Sequence, residues 1–145
     1  MKYIFYSILS LFIVAGCSNS KKNYLDRSDS DNALFDAVKA LKKKSSDTAA
    51  ANALPVLYNL SQQLHMRKIN SLKESRELSR WDKLIDEYNT LQDMHNAIID
   101  VNAAYEKVTP ANYQQTIYDL KQQAAEDYYN EGGSYLSLAG RDNAK

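Results

Sequence analysis

The spacing of the apolar residues constrains this chain more than any other feature. From residue 81 to residue 105 they recur at steps of three and four, which is the period of one face of an α-helix. The series is Trp81, Leu84, Tyr88, Leu91, Met94 or His95, Ile98, Val101 and Tyr105. Only four Gly and two Pro occur in 145 residues, so few positions would interrupt a helix. A continuous strand pattern is absent, and the sequence predicts an all-α fold.

Two helical segments are predicted before this one. The first begins at Asp31, a candidate N-cap, and its apolar face comprises Leu34, Ala37, Val38 and Leu41. The second opens at Ser46-Asp47 and ends near Lys73. Pro55 lies too deep for a first-turn proline if Asp47 is the cap, so the helix either kinks there or begins near Asn52. We expect the long, kinked helix.

The later helices are predicted from their starts and stops. The helix that carries Trp81 is predicted to begin at Ser79 with a start that resembles a capping box. Thr109-Pro110 supplies an N-cap and a first-turn proline for the last helix. Gly132-Gly133 interrupts that last helix, and Gly140 ends or turns it. Its apolar face is Tyr113, Ile117, Leu120, Ala124, Tyr128, Tyr135 and Leu138. Long helices with short breaks pack as antiparallel hairpins.

The amino end has the pattern of a lipoprotein signal. Lys2 precedes an apolar run over residues 3–15, which at 1.5 Å per residue spans roughly 20 Å and falls short of the roughly 30 Å bilayer core. Residues 1–16 are therefore predicted to be a cleaved signal peptide. Val14-Ala15-Gly16 before Cys17 resembles the lipobox of bacterial lipoproteins. The alternative is an ordinary secretory signal with Cys17 merely nearby.

The lipobox resemblance implies a membrane anchor. Cys17 would carry a thioether-linked diacylglycerol and an amide-linked acyl chain such as palmitate, and two or three chains anchor a protein durably where one does not. Ser18, rather than an Asp, follows the cysteine, which by the sorting rule of enteric bacteria favours the outer membrane over the inner membrane. Residues 17–30 are polar apart from Tyr24 and Leu25, so we expect a flexible tether before a helical domain at 31–145.

Charge and cysteine content exclude several classes of function. The 18 Lys and Arg balance the 18 Asp and Glu, which argues against a nucleic-acid-binding surface. Removal of residues 1–16 takes only Lys2, leaving 17 basic against 18 acidic residues and a net charge of −1, so acidic lipid would not hold the body electrostatically. A single Cys permits neither an internal disulfide nor a thiolate zinc site.

The motifs that carry chemistry are missing. His65 and His95 lie on separate helices with no second His at i+3 or i+4. A carboxylate-histidine pair of His95 with Asp93 or Asp100 is conceivable, but we interpret the histidines as residues of a polar helix edge rather than metal ligands. Lys83 and Glu87 form an ordinary i, i+4 pair. Gly132-Gly133 lacks the Lys and the Ser or Thr that complete a phosphate loop. We therefore expect no catalytic, cofactor-binding or metal site and no enzymatic activity. The carboxylates Asp82, Asp86, Glu87 and Asp93 lie together on the polar side of the third helix, whereas a catalytic pair must face each other across a pocket.

Two segments resemble a known repeat. Trp81-x-x-Leu84-Ile85-x-x-Tyr88 resembles the opening of a tetratricopeptide repeat, and residues 129–144 are similar to the first helix and turn of such a repeat. Together with the lipobox and residues 124–132, they make most of the mature chain similar to a family of tetratricopeptide-like lipoproteins of the Bacteroidota. That resemblance implies an envelope-anchored helical protein with no settled activity. Members commonly continue with a further helix, so we expect a shortened member.

The tyrosines suggest where a partner would bind. Nine of the 11 Tyr lie in the mature chain, against one Phe, and Tyr supplies a large contact area with a polar tip. Tyr118 and Tyr129 fall off the main stripe, so we expect a minority of the tyrosines to be exposed, either as a binding surface or as scattered surface residues. Trp81 is expected to pack between its helix and the preceding one.

The predicted function follows from the anchor and the last helix. That helix has no partner beyond Gly140, so the face around Tyr128, Tyr135 and Leu138 is predicted to be a docking edge. The competing arrangement folds this stripe entirely against the earlier helices. We expect a membrane-anchored scaffold that binds another envelope protein and no nucleic acid. The alternative is an envelope enzyme or a small-ligand-binding protein.

Overall fold

The chain is all-helical wherever it is described. The structure, a computed structural model, describes residues 23–142, with side chains through residue 136. A 3-10 turn at Tyr24–Asp26 precedes the helices, and no strand occurs within residues 23–142. The all-α prediction is confirmed, whereas the predicted signal peptide and Cys17 lie outside the described residues. The helices are α1 Ser30–Lys43, α2 Thr48–Glu74, α3 Arg80–Ile99, α4 Asn102–Tyr105 and α5 Gln114–Asp142.

Aspartates cap the first two helices. Asp29, and not the predicted Asp31, caps α1, because its carboxylate accepts a hydrogen bond from the backbone N–H of Asn32 at 3.1 Å. Asp47 caps α2 and accepts from the backbone N–H of Ala50 at 3.0 Å. The helix then runs unbroken past Pro55 to Glu74, so the prediction of one long helix is confirmed and a start near Asn52 is wrong.

The predicted end of the third helix is wrong, whereas its predicted start is confirmed, because Ser79 occupies the N-cap position of α3. Asp100 ends α3, and Val101 is extended with φ −127° and ψ 102°, so the periodic stripe of the sequence is divided between α3 and α4. Val101 remains buried, whereas Tyr105 is 50% exposed. The predicted capping box at Ser79 does not form, because Ser79 has helical backbone angles and makes no side-chain cap.

The last helix begins at Gln114 instead of at Thr109-Pro110. The reason is that side chains of α2 and α3, which lie beneath the preceding loop, form hydrogen bonds with backbone N–H groups of that loop. The Tyr58 hydroxyl accepts from the N–H of Ala111 at 2.9 Å, and Gln92 Oε1 accepts from the N–H of Tyr113 at 2.6 Å. Burial raises the pKa of the Tyr58 hydroxyl. The Gln92 bond takes the N–H of Tyr113 that would donate to Thr109 in a helix starting there, and the Tyr58 bond holds the loop on α2.

One core is shared by all five helices. Its largest fully buried side chains include Leu34 and Leu41 of α1, Leu54, Leu57 and Ile69 of α2, and Leu84, Leu91, Met94 and Ile98 of α3. Connections of residues 44–47 and 75–79 join α1 to α2 and α2 to α3. Tyr24 is 3% exposed and belongs to the core, so the segment expected to be a tether packs on the body from this residue onward. A buried tyrosine removes about 150–250 Å² of surface, enough to order a short turn.

Among the described helices, α5 packs against α3 alone. Its residue Asp127 meets the start of α3, whereas the residue before α5, Tyr113, meets Gln92 near the other end, so α3 and α5 are antiparallel. The predicted interruption at Gly132-Gly133 and the predicted end at Gly140 are both wrong, because α5 continues through them to Asp142. A glycine inside a helix costs about 1 kcal/mol and does not by itself break one.

Candidate functional site

The carboxyl half of α5 extends beyond the body. α5 has 29 residues and α3 has 20, which at 1.5 Å per residue makes them about 43 and 30 Å long. The buried residues of α5 are Ile117, Leu120 and Ala124. From Tyr128 to Leu136 every side chain is exposed. We call residues 128–136 the α5 arm.

A polar cluster fixes the base of the arm to the start of α3. The carboxylate of Asp127 accepts from Trp81 Nε1 at 2.9 Å and from Arg80 at 3.0 Å, and the Arg80 guanidinium lies over the Trp81 ring, 4.6 Å from its centroid. Trp81 is 8% exposed, so its predicted burial is confirmed. Its hydrogen-bond partner, however, belongs to α5 and not to the preceding helix, because the indole N–H points across the α3–α5 contact.

The predicted docking residues are not equivalent. The Tyr128 hydroxyl donates to Asp82 Oδ2 at 3.0 Å, and desolvation together with this carboxylate raises the pKa of Tyr128. Tyr135 is 64% exposed, and its hydroxyl donates only within α5, to Glu131 Oε1 at 3.3 Å. The side chain of Leu138 lies outside the described residues. Tyr128 therefore belongs to the α3–α5 contact, whereas Tyr135 is presented to solvent.

More tyrosines are exposed than the sequence predicted. The exposure of Tyr118 and Tyr129 is confirmed, at 58% and 81%. The expectation of a minority is wrong, since five of the nine tyrosines after residue 17 are exposed. The physical reason for the α5 tyrosines is that, among the described helices, α5 packs against α3 alone, so most of its surface meets solvent. The five are Tyr105, Tyr118, Tyr128, Tyr129 and Tyr135.

A buried histidine joins three helices, and sequence reasoning missed it. His65 of α2 is 5% exposed, which overturns its assignment to a polar helix edge. Its Nδ1 lies 2.5 Å from Glu87 Oε2 of α3, and its Nε2 lies 3.0 Å from Asp31 Oδ2 of α1. Lys68 Nζ lies 3.2 Å from the other oxygen of Glu87. Lys83 was the predicted partner of Glu87, but its Nζ instead lies 3.8 Å from Glu77 Oε2.

One signal in the sequence pointed to this burial. His65 is four residues after Ser61 and four before Ile69, both of which are fully buried, so the three form one row on α2. The partners of His65 were not predictable in the same way. Asp31 and Glu87 lie 34 and 22 residues away along the chain, so only the packing of α1 and α3 brings them to the imidazole.

The chemistry of this cluster is that of a charged tie. Each ring nitrogen of His65 lies within hydrogen-bond distance of a carboxylate oxygen, so the imidazole bridges Asp31 and Glu87. The two ring nitrogens point in different directions, and the described residues contain no group of three or more His, Cys, Asp or Glu that would hold a metal ion. Asp31, Glu87 and His65 therefore hold α1, α2 and α3 together without forming a site for a cation.

The remaining polar features are structural or shallow. His95 Nδ1 lies 3.2 Å from the carbonyl oxygen of Pro110, which ties α3 to the loop before α5. One open depression on the surface is lined by Asn23, Tyr24, Arg27 and Asp36. Arg27 and Asp36 already form an ion pair of 2.5 Å within it. A second depression is lined by Leu41, Lys42, Ser45, Asp100, Val101, Asn102 and Ala103.

The most distinctive surface of the described chain is thus the arm, which projects from a body whose polar groups serve mainly to hold helices together. None of the helices within residues 23–142 is long and apolar enough to cross a membrane. No protein-family model, curated protein or solved structure matches the chain.

Proposed function

We propose that the protein is a lipid-anchored component of the bacterial cell envelope whose helical body is a protein-interaction scaffold without enzymatic activity. The observation that carries the proposal is the α5 arm. Tyr128 and Tyr135 of the arm are 37% and 64% exposed. Aromatic side chains offer large apolar area at small rotamer cost, which suits recognition of another protein.

The proposed partner surface is the face around Tyr128, Tyr135 and Leu138. Tyr128 and Tyr135 are seven residues apart and therefore on the same side of α5. Tyr128 lies beside the amino-terminal end of α3. The face thus continues the α3–α5 contact past the first turn of α3. A helix of another envelope protein is the proposed occupant, since an amphipathic helix binds through anchors at this spacing.

The helical hairpins are proposed to follow the tetratricopeptide pattern. Trp81 and Tyr88 of that pattern are both buried residues of α3, at 8% and 4% exposure. Tyr88 lies 5.5 Å from Tyr113 between ring centroids, and Lys73 Nζ lies 5.8 Å from its ring. The burial of both residues and these contacts support the proposal, because packing residues of a repeat lie between neighbouring helices.

The anchor is tested by removing the cysteine. We propose that Cys17 is acylated and places the protein at the outer membrane, as the lipobox resemblance implies. Cys17→Ser is expected to give an unprocessed precursor, whereas the neighbouring Ser18→Ala is expected to mature normally. Intact mass and membrane fractionation measure both. A Cys17→Ser protein that is processed and fractionates like the unchanged chain would refute the anchor.

The partner surface is tested by hydrogen exchange. The body, residues 18–145, is suitable because the core described above is built from residues 24–124. Amides of residues 128–138 should exchange more slowly when solubilised envelope proteins are added, and Tyr135→Ser should abolish the change. Tyr105→Ser, which alters a tyrosine of similar exposure elsewhere, should not. Unaltered exchange along α5, or an equal effect of the two variants, would refute this surface.

A further inference from the structure

The last helix is attached to the body through less buried apolar surface than the other long helices. The largest fully buried side chains of the described core all belong to α1, α2 and α3, which contact one another. The buried side chains described in α5 are Ile117, Leu120 and Ala124, which are 5–8% exposed and lie within about two turns. A segment with few buried apolar contacts opens at a lower free energy than the rest of a fold.

The loop before α5, in contrast, is held by two helices. Tyr58 of α2 accepts from the N–H of Ala111, and Gln62 of the same helix donates to the Tyr113 hydroxyl at 3.1 Å. Gln92 of α3 accepts from the N–H of Tyr113. Because α2 and α3 both bind this loop, whereas α5 packs against α3 alone among the described helices, the boundary between the more firmly and the less firmly held chain falls at Tyr113.

Polar bonds close the other end of the α3–α5 contact. Asp127 accepts from Arg80 and Trp81, and Tyr128 donates to Asp82. The Asp127 side chain is 42% exposed, so its ion pair with Arg80 is in contact with water and is weakened by it. Water can replace these bonds when α5 moves away, which leaves the short apolar contact to hold the helix.

We propose that α5 opens as one unit from Tyr113 onward while α1 to α4 stay folded, and that this opening uncovers the side of α3 that carries Trp81. Trp81 is 8% exposed in the closed protein, and its indole N–H loses the Asp127 acceptor when α5 leaves. The fold thus contains a surface of α3 that is presented to solvent only in the open form. This inference goes beyond the proposed function and depends neither on the lipid anchor nor on the partner surface.

The first experiment measures opening with a buried thiol. The body, residues 18–145, lacks cysteine, because Cys17 is the only one in the chain. Ala124 of α5 and Ala53 of α2 are matched positions, at 5% and 4% exposure. A cysteine at either position reacts with a thiol reagent when its helix opens. Without denaturant, the Ala124→Cys protein should react at least tenfold faster than the Ala53→Cys protein, and equal rates would overturn the proposal.

A second substitution tests whether the contact with α3 controls this rate. Asp127→Ala removes the polar bonds to Arg80 and Trp81, so it should speed the reaction of the Ala124→Cys protein roughly tenfold. The reaction of the Ala53→Cys protein should stay within about twofold. Glu126→Ala, which removes the exposed carboxylate one residue earlier, should change neither rate. If Asp127→Ala leaves the Ala124→Cys rate unaltered, or speeds both thiols equally, the proposal is overturned.

Hydrogen exchange of the unchanged body separates opening of the whole helix from fraying of its end. Amides of residues 118–127 lie inside α5 and should share one protection factor within about threefold, because one event exposes them all. That factor should be at least tenfold lower than the factor of the amides of residues 57–69 in α2. Protection that falls steadily towards residue 127, or that equals the protection of α2, would overturn the proposal.

Discussion

The charged tie around His65 leads to the most detailed prediction, which concerns Glu87→Gln. Glu87 is the partner with two contacts, since one oxygen lies 2.5 Å from His65 Nδ1 and the other 3.2 Å from Lys68 Nζ. Its side chain is 19% exposed. Gln keeps the size of the side chain and removes its charge. The substitution therefore weakens both contacts without creating a cavity.

The magnitude follows from the burial of each contact. A hydrogen bond to a charged group contributes about 1.5–3 kcal/mol, and His65 is almost fully buried, so its contact should be worth about 2 kcal/mol. Lys68 is 59% exposed, so its contact adds less than about 1 kcal/mol. The expected total is about 2–3 kcal/mol out of a stability of about 5–15 kcal/mol for a domain of this size. The midpoint of thermal unfolding should fall by about 10 °C.

Urea and thermal unfolding followed by circular dichroism measure the effect. Asp86→Asn is the matched control, because Asp86 is an exposed carboxylate on the same helix and should change stability by less than about 0.5 kcal/mol. A double-mutant cycle with His65→Gln should give a coupling of at least about 1 kcal/mol for Glu87 and near zero for Asp86. Equal effects of Glu87→Gln and Asp86→Asn would refute the tie.

Three further predictions concern the core and the base of the arm. Trp81→Phe deletes the N–H that donates to Asp127 and should lower the free energy of unfolding in urea by about 1.5–3 kcal/mol. Trp81→Ala should lower it by about 3–5 kcal/mol. Effects no larger than that of Tyr105→Ser would show that Trp81 is not an anchor. Ser61→Ala should raise stability by about 1 kcal/mol, because the buried hydroxyl of Ser61 has no partner, and a loss of stability would contradict this. Burial raises the pKa of Tyr24 above its ordinary value of 10.0, so the stability that neutral Tyr24 contributes below pH 10.0 is lost as the pH rises through the folded-state pKa. Tyr24→Phe should flatten that alkaline loss, and an unchanged alkaline slope would contradict the assignment.

The helices themselves were predictable because their causes are local. The three-and-four spacing of apolar residues and the side-chain caps act within a turn or two of the chain, so α1, α2 and the body of α3 were recognised from sequence. Asp47 is an example, since its carboxylate caps α2 by accepting a hydrogen bond from the N–H of Ala50, three residues later. The exposure of Tyr118 and Tyr129 followed from the same periodicity, because both fall off the stripe that faces α3.

The errors arose where distant residues compete for the same backbone or side-chain groups. Thr109-Pro110 has the local chemistry of a helix start, yet Tyr58 and Gln92 bind the backbone of the following residues and delay α5 to Gln114. Asp31 has the local chemistry of an N-cap, yet Asp29 takes that place and Asp31 binds His65 instead. In each case a partner more than 20 residues away decided the outcome.

Sequence alone thus determined which segments are helical, and it supplied the predicted anchor at Cys17, which lies outside the described residues and stays a prediction. Only the tertiary structure decided that His65 is buried between two carboxylates and that, among the described helices, α5 packs against α3 alone. The physical reason is that helix formation depends on neighbours three and four positions apart, whereas the pairing of a buried charge and the exposure of a helix face depend on which helices pack together.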